Sequence, residues 1–370
     1  EPTVLPTYIR DGLQGIDRKY SKEFDVFSAH WENAFADSES GIGEYFVGLG
    51  SSPGLDDKSA FSSHNLSTSA LLRGDNLESG MKYYVTVIAC NQVGMCVNGS
   101  SNGAIVDYIP PHTGLVMAGE EGPPLKITWM NKAAWARWEW CSADHSELGA
   151  SPGICDALSF YDIHSGIRRF GLTVLSYHTA DTLTPIKTVG RVNSSGLHVE
   201  MPNGVFSVVV EAQDRAGGSS NAISKSFMVD TTPPKITKLH HGVENKQVMY
   251  SRMKDYLFTA FFQIIEDVSD VVSYSVGVST FPEGDDLIPF KKYKINVVAN
   301  VVRVNWTLSN PQRLTNGRKY YITVKGTNSA GLFLTTSSPP LLFDIEPPLV
   351  SRVFDGWGIR DSQYHPFPNI

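Results

Sequence analysis

The residues of this 370-residue sequence best suited to chemistry are its four cysteines, ten histidines and acidic side chains. Cys90 and Cys96 lie close enough to cross one hairpin, and Cys141 and Cys155 could close an irregular loop. Four cysteines allow three pairings, of which we predict these two local ones. Neither Cys-x2-Cys spacing nor a nearby histidine pair supports zinc. Each disulfide would add about 2–3 kcal/mol and implies an oxidising compartment.

Motifs for catalysis or nucleotide binding are weak. Gly41-Ile42-Gly43 resembles part of a phosphate loop, but alternating strand residues flank it and no helix follows. The only adjacent histidines are His240 and His241, and neighbouring strand residues point to opposite faces, so solvent exposure is favoured over metal ligation. No nucleophile elbow or Cys-His arrangement is present. We therefore predict no catalytic residues, no metal site and no organic cofactor.

Acidic residues near the Pro-Pro segments make a bound cation the alternative to this prediction. These residues are Asp107, Asp230, Asp344 and Glu346, and the pair Asp56-Asp57 resembles Asp285-Asp286. Carboxylate oxygens of this kind could hold Ca²⁺ between domains and stiffen a rod. The alternative is that these residues bond backbone N–H groups in turns, which is the ordinary role of Asp in such loops. Calcium is thus a secondary expectation without assigned ligands.

Four Asn-x-Ser/Thr sequons suggest N-glycosylation, at Asn65, Asn98, Asn193 and Asn305. The seven tryptophans could stack on carbohydrate, although filling a sandwich core or an interdomain contact is the favoured interpretation.

Composition bounds the class of protein. Charged residues make up 19% of the chain, and Thr, Ser, Val, Tyr and Gly are plentiful, which favours short strands joined by turns. The net charge of −7 comes without a basic run, which argues against nucleic acid. No apolar stretch approaches the roughly 18 residues of a membrane span. Because the chain starts at Glu1 without an apolar leader, we expect a mature, processed or excised form.

Internal repetition is the strongest signal in the sequence. Three segments end alike, with Asp107, Asp230 and Asp344 each followed by Pro-Pro at the third and fourth positions. Thirteen residues before each Asp stands a Gly, and three residues before that Gly stands Asn91, Asp214 or Asn328. These are turn residues between paired strands. The chain therefore contains three copies of one unit.

Alternating residues precede those turns in every copy. The patterns are Tyr83-x-Val85-x-Val87-x-Ala89, Phe206-x-Val208-x-Val210-x-Ala212 and Tyr320-x-Ile322-x-Val324-x-Gly326. Period-two alternation over this length predicts half-buried strands. We place one β-sandwich at 1–109, a second with a Trp-rich, disulfide-closed insertion at 110–232, a third at 233–346, and a tail at 347–370.

The alternating strand followed by Val-Gly or Ala-Gly resembles the penultimate strand of fibronectin type III domains. The Asp-x-x-Pro-Pro junctions resemble those of repeats in large eukaryotic extracellular proteins. The resemblance is specific in the last two strands of each unit and weak in the first half of unit two. It implies an all-β chain of three tandem immunoglobulin-like or fibronectin type III sandwiches.

The tail matches the start of the first unit. Leu349–Tyr364 aligns without a gap to Leu5–Tyr20 at an offset of 344. The tail thus resembles the first strand of an incomplete fourth unit, which cannot bury its apolar face alone. The candidate assembly residues are Leu349, Val350, Val353, Phe354, Trp357, Ile359 and Tyr364.

Two interpretations of the tail stay open. It could add a strand to another copy of the chain, which would build a head-to-tail filament. Against this, Leu5–Tyr20 already supplies that strand within the chain. The alternative is an ordered tail, or a longer repeat protein cut just inside its fourth unit. We expect an extracellular structural glycoprotein of a filament or stalk, whose partners are copies of itself or adjoining repeats, with no membrane insertion in this segment. A cell-surface adhesin or receptor ectodomain that binds a protein or glycan is the alternative.

Overall fold

The computed structural model describes residues 2–4, 9–13, 16–142, 155–244, 246–251, 257–294, 301–308 and 314–353. Within these ranges every element of regular secondary structure is a β-strand, which confirms the predicted all-β class. No helix among the described residues has the length and apolar character that a membrane span needs. The chain divides into two compact units, Glu1–Thr231 and Thr232–Ile370.

The first repeat has two sheets around one core. Its strands are β1 (Thr3–Val4), β2 (Arg10–Asp11), β3 (Tyr20–Ser21), β4 (Val26–His30), β5 (Phe35–Ala36), β6 (Ile42–Gly50), β7 (Ser59–Ser63), β8 (Ser69–Arg73), β9 (Lys82–Asn91), β10 (Cys96–Ser100) and β11 (Ala104–Val106). One sheet has the order β3-β11-β9-β6-β7, with β10 also paired to β9, and the other has the order β2-β4-β8. A short pair, β1 with β5, completes the repeat.

The second repeat completes the first compact unit and follows the same plan. Its strands are β12 (Val116–Ala118), β13 (Ile127–Thr128), β14 (Ala133–Trp138), β15 (Ile167–Ser176), β16 (Lys187–Gly190), β17 (Ser194–His198), β18 (Gly204–Asp214), β19 (Ser219–Ile223) and β20 (Phe227–Val229). The sheet β13-β20-β18-β15-β16, with β19 on β18, packs against the sheet β12-β14-β17.

The second compact unit contains the third repeat. Its strands are β21 (Lys235–Val243), β22 (Lys246–Gln247), β23 (Tyr250–Ser251), β24 (Leu257–Ile265), β25 (Val271–Ser279), β26 (Ile288–Lys294), β27 (Val301–Thr307), β28 (Lys319–Asn328), β29 (Phe333–Ser337) and β30 (Leu341–Phe343). The two sheets have the orders β22-β21-β24-β27 and β23-β30-β28-β25-β26, with β29 on β28. The described residues after β30 form no strand.

Each repeat encloses its own hydrophobic core, as a chain of tandem sandwiches requires. The three cores span buried residues from Ile9 to Val106, from Val116 to Val229, and from Phe258 to Phe343. In β9 the alternating set from Tyr83 to Ala89 is buried, as the period-two pattern predicts. Full burial of one Val or Leu side chain contributes roughly 1.5–3 kcal/mol, so these central strands anchor each sandwich.

One serine hydrogen bond recurs in all three repeats. The backbone N–H groups of Val85, Val208 and Ile322 donate to Ser101 Oγ, Ser224 Oγ and Ser338 Oγ at 3.0, 3.0 and 3.1 Å. All three serines are buried. The serine therefore satisfies an N–H of the central strand at a point where no neighbouring strand reaches it.

We predict that Ser224→Ala and Ser338→Ala each lower the free energy of unfolding of their own unit by about 1–3 kcal/mol, because each leaves a buried N–H without an acceptor. Chemical denaturation of each variant measures the loss. Ser219→Ala, at an exposed position of β19, is the control and should change stability by less than about 0.5 kcal/mol. Equal losses in all three variants would contradict this role.

Candidate functional site: the acidic junction of the first two repeats

The first carboxylate of the junction, Asp162, precedes the Ser165-Gly166 turn that leads into β15. Its Oδ1 accepts hydrogen bonds from the N–H groups of Ser165 and Gly166 at 2.8 and 2.7 Å. Gly166 has a φ of 76°, which glycine adopts without strain. The turn therefore fixes the carboxylate at the start of β15, where it is almost fully buried.

The second carboxylate, Asp214, ends β18 and caps the following turn. Its Oδ1 accepts hydrogen bonds from the N–H groups of Gly217 and Gly218 at 2.7 and 2.8 Å. The residue is fully buried, and its Oδ2 has no hydrogen-bond partner among the described residues. A buried carboxylate oxygen without a donor is costly.

The third carboxylate, Asp107, comes from the first repeat, directly after β11. Its Oδ2 accepts a hydrogen bond from Ser165 N–H of the second repeat at 3.1 Å. Its Oδ1 lies 3.2 Å from Ser79 Oγ and 3.4 Å from His164 Nδ1. The residue is fully buried. Asp107 thus ties the end of one repeat to the loop that opens β15 in the next.

These three aspartates form one compact cluster. One carboxylate oxygen from each lies within 4.8 Å of the others. Burial, then repulsion by Asp107, raises the pKa of Asp162. Burial and repulsion from the other two carboxylates also raise the pKa of Asp214, to about 6, although the Gly217 and Gly218 amides oppose the change. The junction therefore concentrates negative charge in a place that water does not reach.

The equivalent positions of the other repeats are built differently. In the first repeat, Asn91 Nδ2 donates to Asp37 Oδ2 at 3.2 Å, and the pKa of Asp37 is lowered to about 2, chiefly by Ser40 N–H and then by Asn91. In the third repeat, Asn328 Nδ2 donates to Glu266 Oε2 at 3.1 Å. Both repeats pair an acid with an amide donor, whereas the second places Asp214 against Asp162.

The pairs Asp56-Asp57 and Asp285-Asp286 accept hydrogen bonds from backbone N–H groups in turns. Asp56 Oδ2 accepts Phe61 N–H, and Asp285 Oδ2 accepts Phe290 N–H, at 3.0 and 3.1 Å. Asp57 Oδ1 accepts Ser51 N–H at 2.8 Å. Among the acidic residues expected near the Pro-Pro segments, only Asp107 belongs to the cluster. For Asp56, Asp57 and Asp285 the structure thus favours turn formation over calcium ligation.

Both predicted cysteine pairs are disulfides in the structure. Cys90 and Cys96 stand directly opposite one another on β9 and β10, with Cα atoms 4.0 Å apart. The Cα atoms of Cys141 and Cys155 are 5.7 Å apart. Both bridges lie in the first compact unit, one in each repeat, and the second closes the Trp-rich insertion, of which residues 143–154 lie outside the described residues.

The four sequon asparagines, Asn65, Asn98, Asn193 and Asn305, all lie at exposed positions. Asn193 Oδ1 accepts a hydrogen bond from Trp140 Nε1 at 3.1 Å. Exposure is the geometric condition for glycan attachment. Glycosylation at these positions remains a prediction.

The tail residues fall partly outside the described residues. Phe354, Trp357, Ile359 and Tyr364 lie beyond the last described residue. Leu349, Val350 and Val353 are described, and these residues are 98%, 79% and 79% exposed. Apolar side chains at this level of exposure have little contact with the rest of the second unit.

The tryptophans differ in how far they are buried. Trp31 and Trp138 are buried in the first two cores, whereas Trp129 and Trp135 are exposed.

The expectation that a histidine pair at a domain start is solvent-exposed is wrong for His241, which is 3% exposed. His241 lies on β21 beside Phe258, and β21 pairs with β24. The sandwich buries that face of the strand.

The grouping of Asp162 and Asp214 with Asp107 was not predicted from the sequence. Two signals in the sequence point to it. An acid stands three residues before the Ser in each repeat, at Asp37, Asp162 and Glu266, and the turn residue that is Asn in two repeats is Asp214 in the second.

No protein-family model matches the sequence, and no curated protein matches it either. Among solved structures, the chain is similar to the FN1-FN3 domains of chicken CNTN1, with 15% identity, a TM-score of 0.27, and coverage of 92% of this chain and 97% of that one. It is also similar to a Ca²⁺-stabilized adhesin of an Antarctic bacterium, with 10% identity, a TM-score of 0.37, and coverage of 93% and 75%.

A third similar structure contains the fibronectin(III)-like modules of Clostridium thermocellum CbhA, with 10% identity, a TM-score of 0.33, and coverage of 60% of this chain and 94% of that one. At these identities and TM-scores, the similarities carry no argument about what the chain binds or does. The all-β tandem architecture stands on the chain's own strands and cores.

Proposed function

We propose that this chain is a structural segment of an extracellular glycoprotein, in which tandem sandwiches act as rigid spacers and the C-terminal segment assembles the chain head to tail into a filament or stalk. The role is mechanical and involves no catalysis. Copies of the chain, or adjoining repeats of a longer one, are the partners.

One observation carries the assembly step. Val353 in the tail aligns with Ile9 of the first repeat. Ile9 is buried at 9% exposure, next to β2, whereas Val353 is 79% exposed. The same apolar position is thus part of a core in one place and without a core in the other. An apolar, strand-forming segment of this kind gains stability by adding to the sheet of another repeat.

The disulfides and the exposed sequons support the proposed compartment. Two disulfides and no free cysteine among the described residues suit an oxidising environment. All four sequon asparagines are accessible to a glycosylating enzyme. Together these features support an extracellular or cell-surface location.

A cell-surface adhesin is the second candidate, and one surface favours it. Trp129, Met130 and Trp135, near the disulfide-closed insertion, are 57%, 54% and 37% exposed. Arg191 lies over the ring of Trp140, 5.8 Å from its centroid. Exposed aromatic rings with a neighbouring cation can contact a protein or a glycan.

We predict that the full chain forms filaments by electron microscopy, and that deletion of 349–370 abolishes them while leaving the three sandwiches folded. The tail contributes the apolar side chains for assembly, so its loss removes the contact without opening a core. Light scattering across a concentration series gives the mass of each form. The double variant Leu349→Ser, Val353→Ser should weaken assembly in the full-length chain.

Monomeric three-domain particles in both samples, at every concentration, would overturn head-to-tail assembly. A glycan or protein ligand captured by the monomer, and lost in Trp129→Ala, Trp135→Ala, would then establish the adhesin role.

A further inference from the structure

The cluster of Asp107, Asp162 and Asp214 holds more negative charge than its surroundings offset. Among the described residues, no lysine or arginine forms an ion pair with any of the three carboxylates, and His164 Nδ1 lies 3.4 Å from Asp107 Oδ1. All three residues are buried. Buried carboxylates at this distance require a cation or a shared proton.

A second observation indicates a ligand. Asp214 is fully buried, and its Oδ2 accepts no hydrogen bond, although its Oδ1 accepts two. A Cβ placed on Gly218 would lie 2.5 Å from this oxygen and 3.5 Å from the Cα of Pro110. The oxygen without a donor therefore lies beside Gly218 and close to the segment of the first repeat that follows Asp107.

The ligand chemistry selects a hard divalent cation. Two oxygens that bind one Ca²⁺ at about 2.4 Å are separated by at most about 4.8 Å, and Ca²⁺ accepts six to eight oxygen ligands in flexible geometry. The three carboxylate oxygens lie within 4.8 Å of one another. A point between them is therefore no more than about 2.8 Å from each, which small side-chain movements bring into the Ca²⁺ range. Zinc favours nitrogen and sulfur ligands, and Mg²⁺ demands a stricter octahedron and retains waters.

The other two repeats act as internal references. Asn91 and Asn328 supply the amide donors that pair with the carboxylates of Asp37 and Glu266. Asp214 occupies the same place in the second repeat and supplies a carboxylate instead. We propose that Asp107, Asp162 and Asp214 form a Ca²⁺ site that locks the first repeat to the second. This inference goes beyond the proposed function, which stands whether or not the ion binds.

The test compares the full chain with its Asp214→Asn variant. In the wild type, millimolar CaCl₂ is expected to raise the melting temperature of the first unit by about 5 °C or more over its value in EDTA. Asp214→Asn restores the amide of the other repeats. The variant should therefore melt higher than the wild type in EDTA and lose the calcium-dependent rise. Isothermal titration calorimetry with CaCl₂ should show one site in the wild type and at least tenfold weaker binding in the variant.

Asn91→Asp is the matched control, because it places the same residue in the first repeat, whereas the only group of three acidic ligands among the described residues is Asp107, Asp162 and Asp214. It should lower the melting temperature equally with and without CaCl₂. A wild-type chain that neither melts differently nor titrates with CaCl₂ would overturn the site, as would a full calcium response in Asp214→Asn. An equal response to MgCl₂ would overturn the assignment to Ca²⁺.

Discussion

Asp11→Asn is expected to raise the free energy of unfolding of the first unit by up to about 4 kcal/mol at pH 8, and to change it little at pH 4. Asp11 is 1% exposed. Burial raises its pKa from 3.8 to about 7, with a smaller contribution from Asp17, while Ser101, Gly103 and Lys82 act in the opposite direction. A difference of about three pKa units, at about 1.4 kcal/mol each, gives the magnitude.

The sign follows from proton binding. Because the folded protein binds the Asp11 proton more tightly than the unfolded chain does, this group stabilises the fold fully below pH 3.8, and its contribution is lost as the pH rises through about 7. Urea denaturation at several pH values measures it. Asp75→Asn, at an exposed position in the same unit, is the control. An unchanged pH profile in Asp11→Asn would contradict the prediction.

The second unit is expected to respond to pH in the opposite direction, because of His241. Burial lowers the pKa of this imidazole from 6.5 to about 4, so the unfolded chain takes up a proton that the folded one excludes. The contribution is present above pH 6.5 and is lost as the pH falls through about 4, by about 3 kcal/mol in total. Urea denaturation of the second unit between pH 7.5 and pH 4 measures this loss.

His241→Leu replaces the imidazole with an apolar side chain that does not titrate, and should flatten the acid limb of the profile. His240→Gln is the matched control, since His240 is half-buried on the same strand and stacks on Phe261. If the pH profile of the unfolding free energy flattens in His240→Gln but not in His241→Leu, the acid sensitivity does not come from His241 and the prediction is wrong.

The architecture could be predicted from the sequence because its signals are local and repeated. The period-two set from Tyr83 to Ala89 determines which face of β9 is buried, and its recurrence in β18 and β28 indicates three similar cores. Local spacing also suggested the pairing of Cys90 with Cys96, since both lie in one hairpin. In such cases the two residues are close in sequence, and for that reason they are also close in space.

The acidic junction could not be predicted in the same way, because it depends on contacts distant in sequence. Asp107 and Asp214 are more than one hundred residues apart and meet only after both repeats have folded. The burial of His241 likewise depends on how β21 packs, which the sequence around it does not reveal. A residue's type predicts its local turn, but its neighbours across a domain boundary require the three-dimensional structure.

The parallel pairing near the two ends of each repeat has a mechanical consequence. A short early strand lies parallel to the last one in every repeat: β3 beside β11, β13 beside β20, and β23 beside β30. Tension along the chain pulls such neighbours lengthwise past each other, which loads their hydrogen bonds in shear and together. Bonds loaded in this way resist force better than bonds that open one at a time, so each parallel pair is expected to strengthen its sandwich against lengthwise pulling.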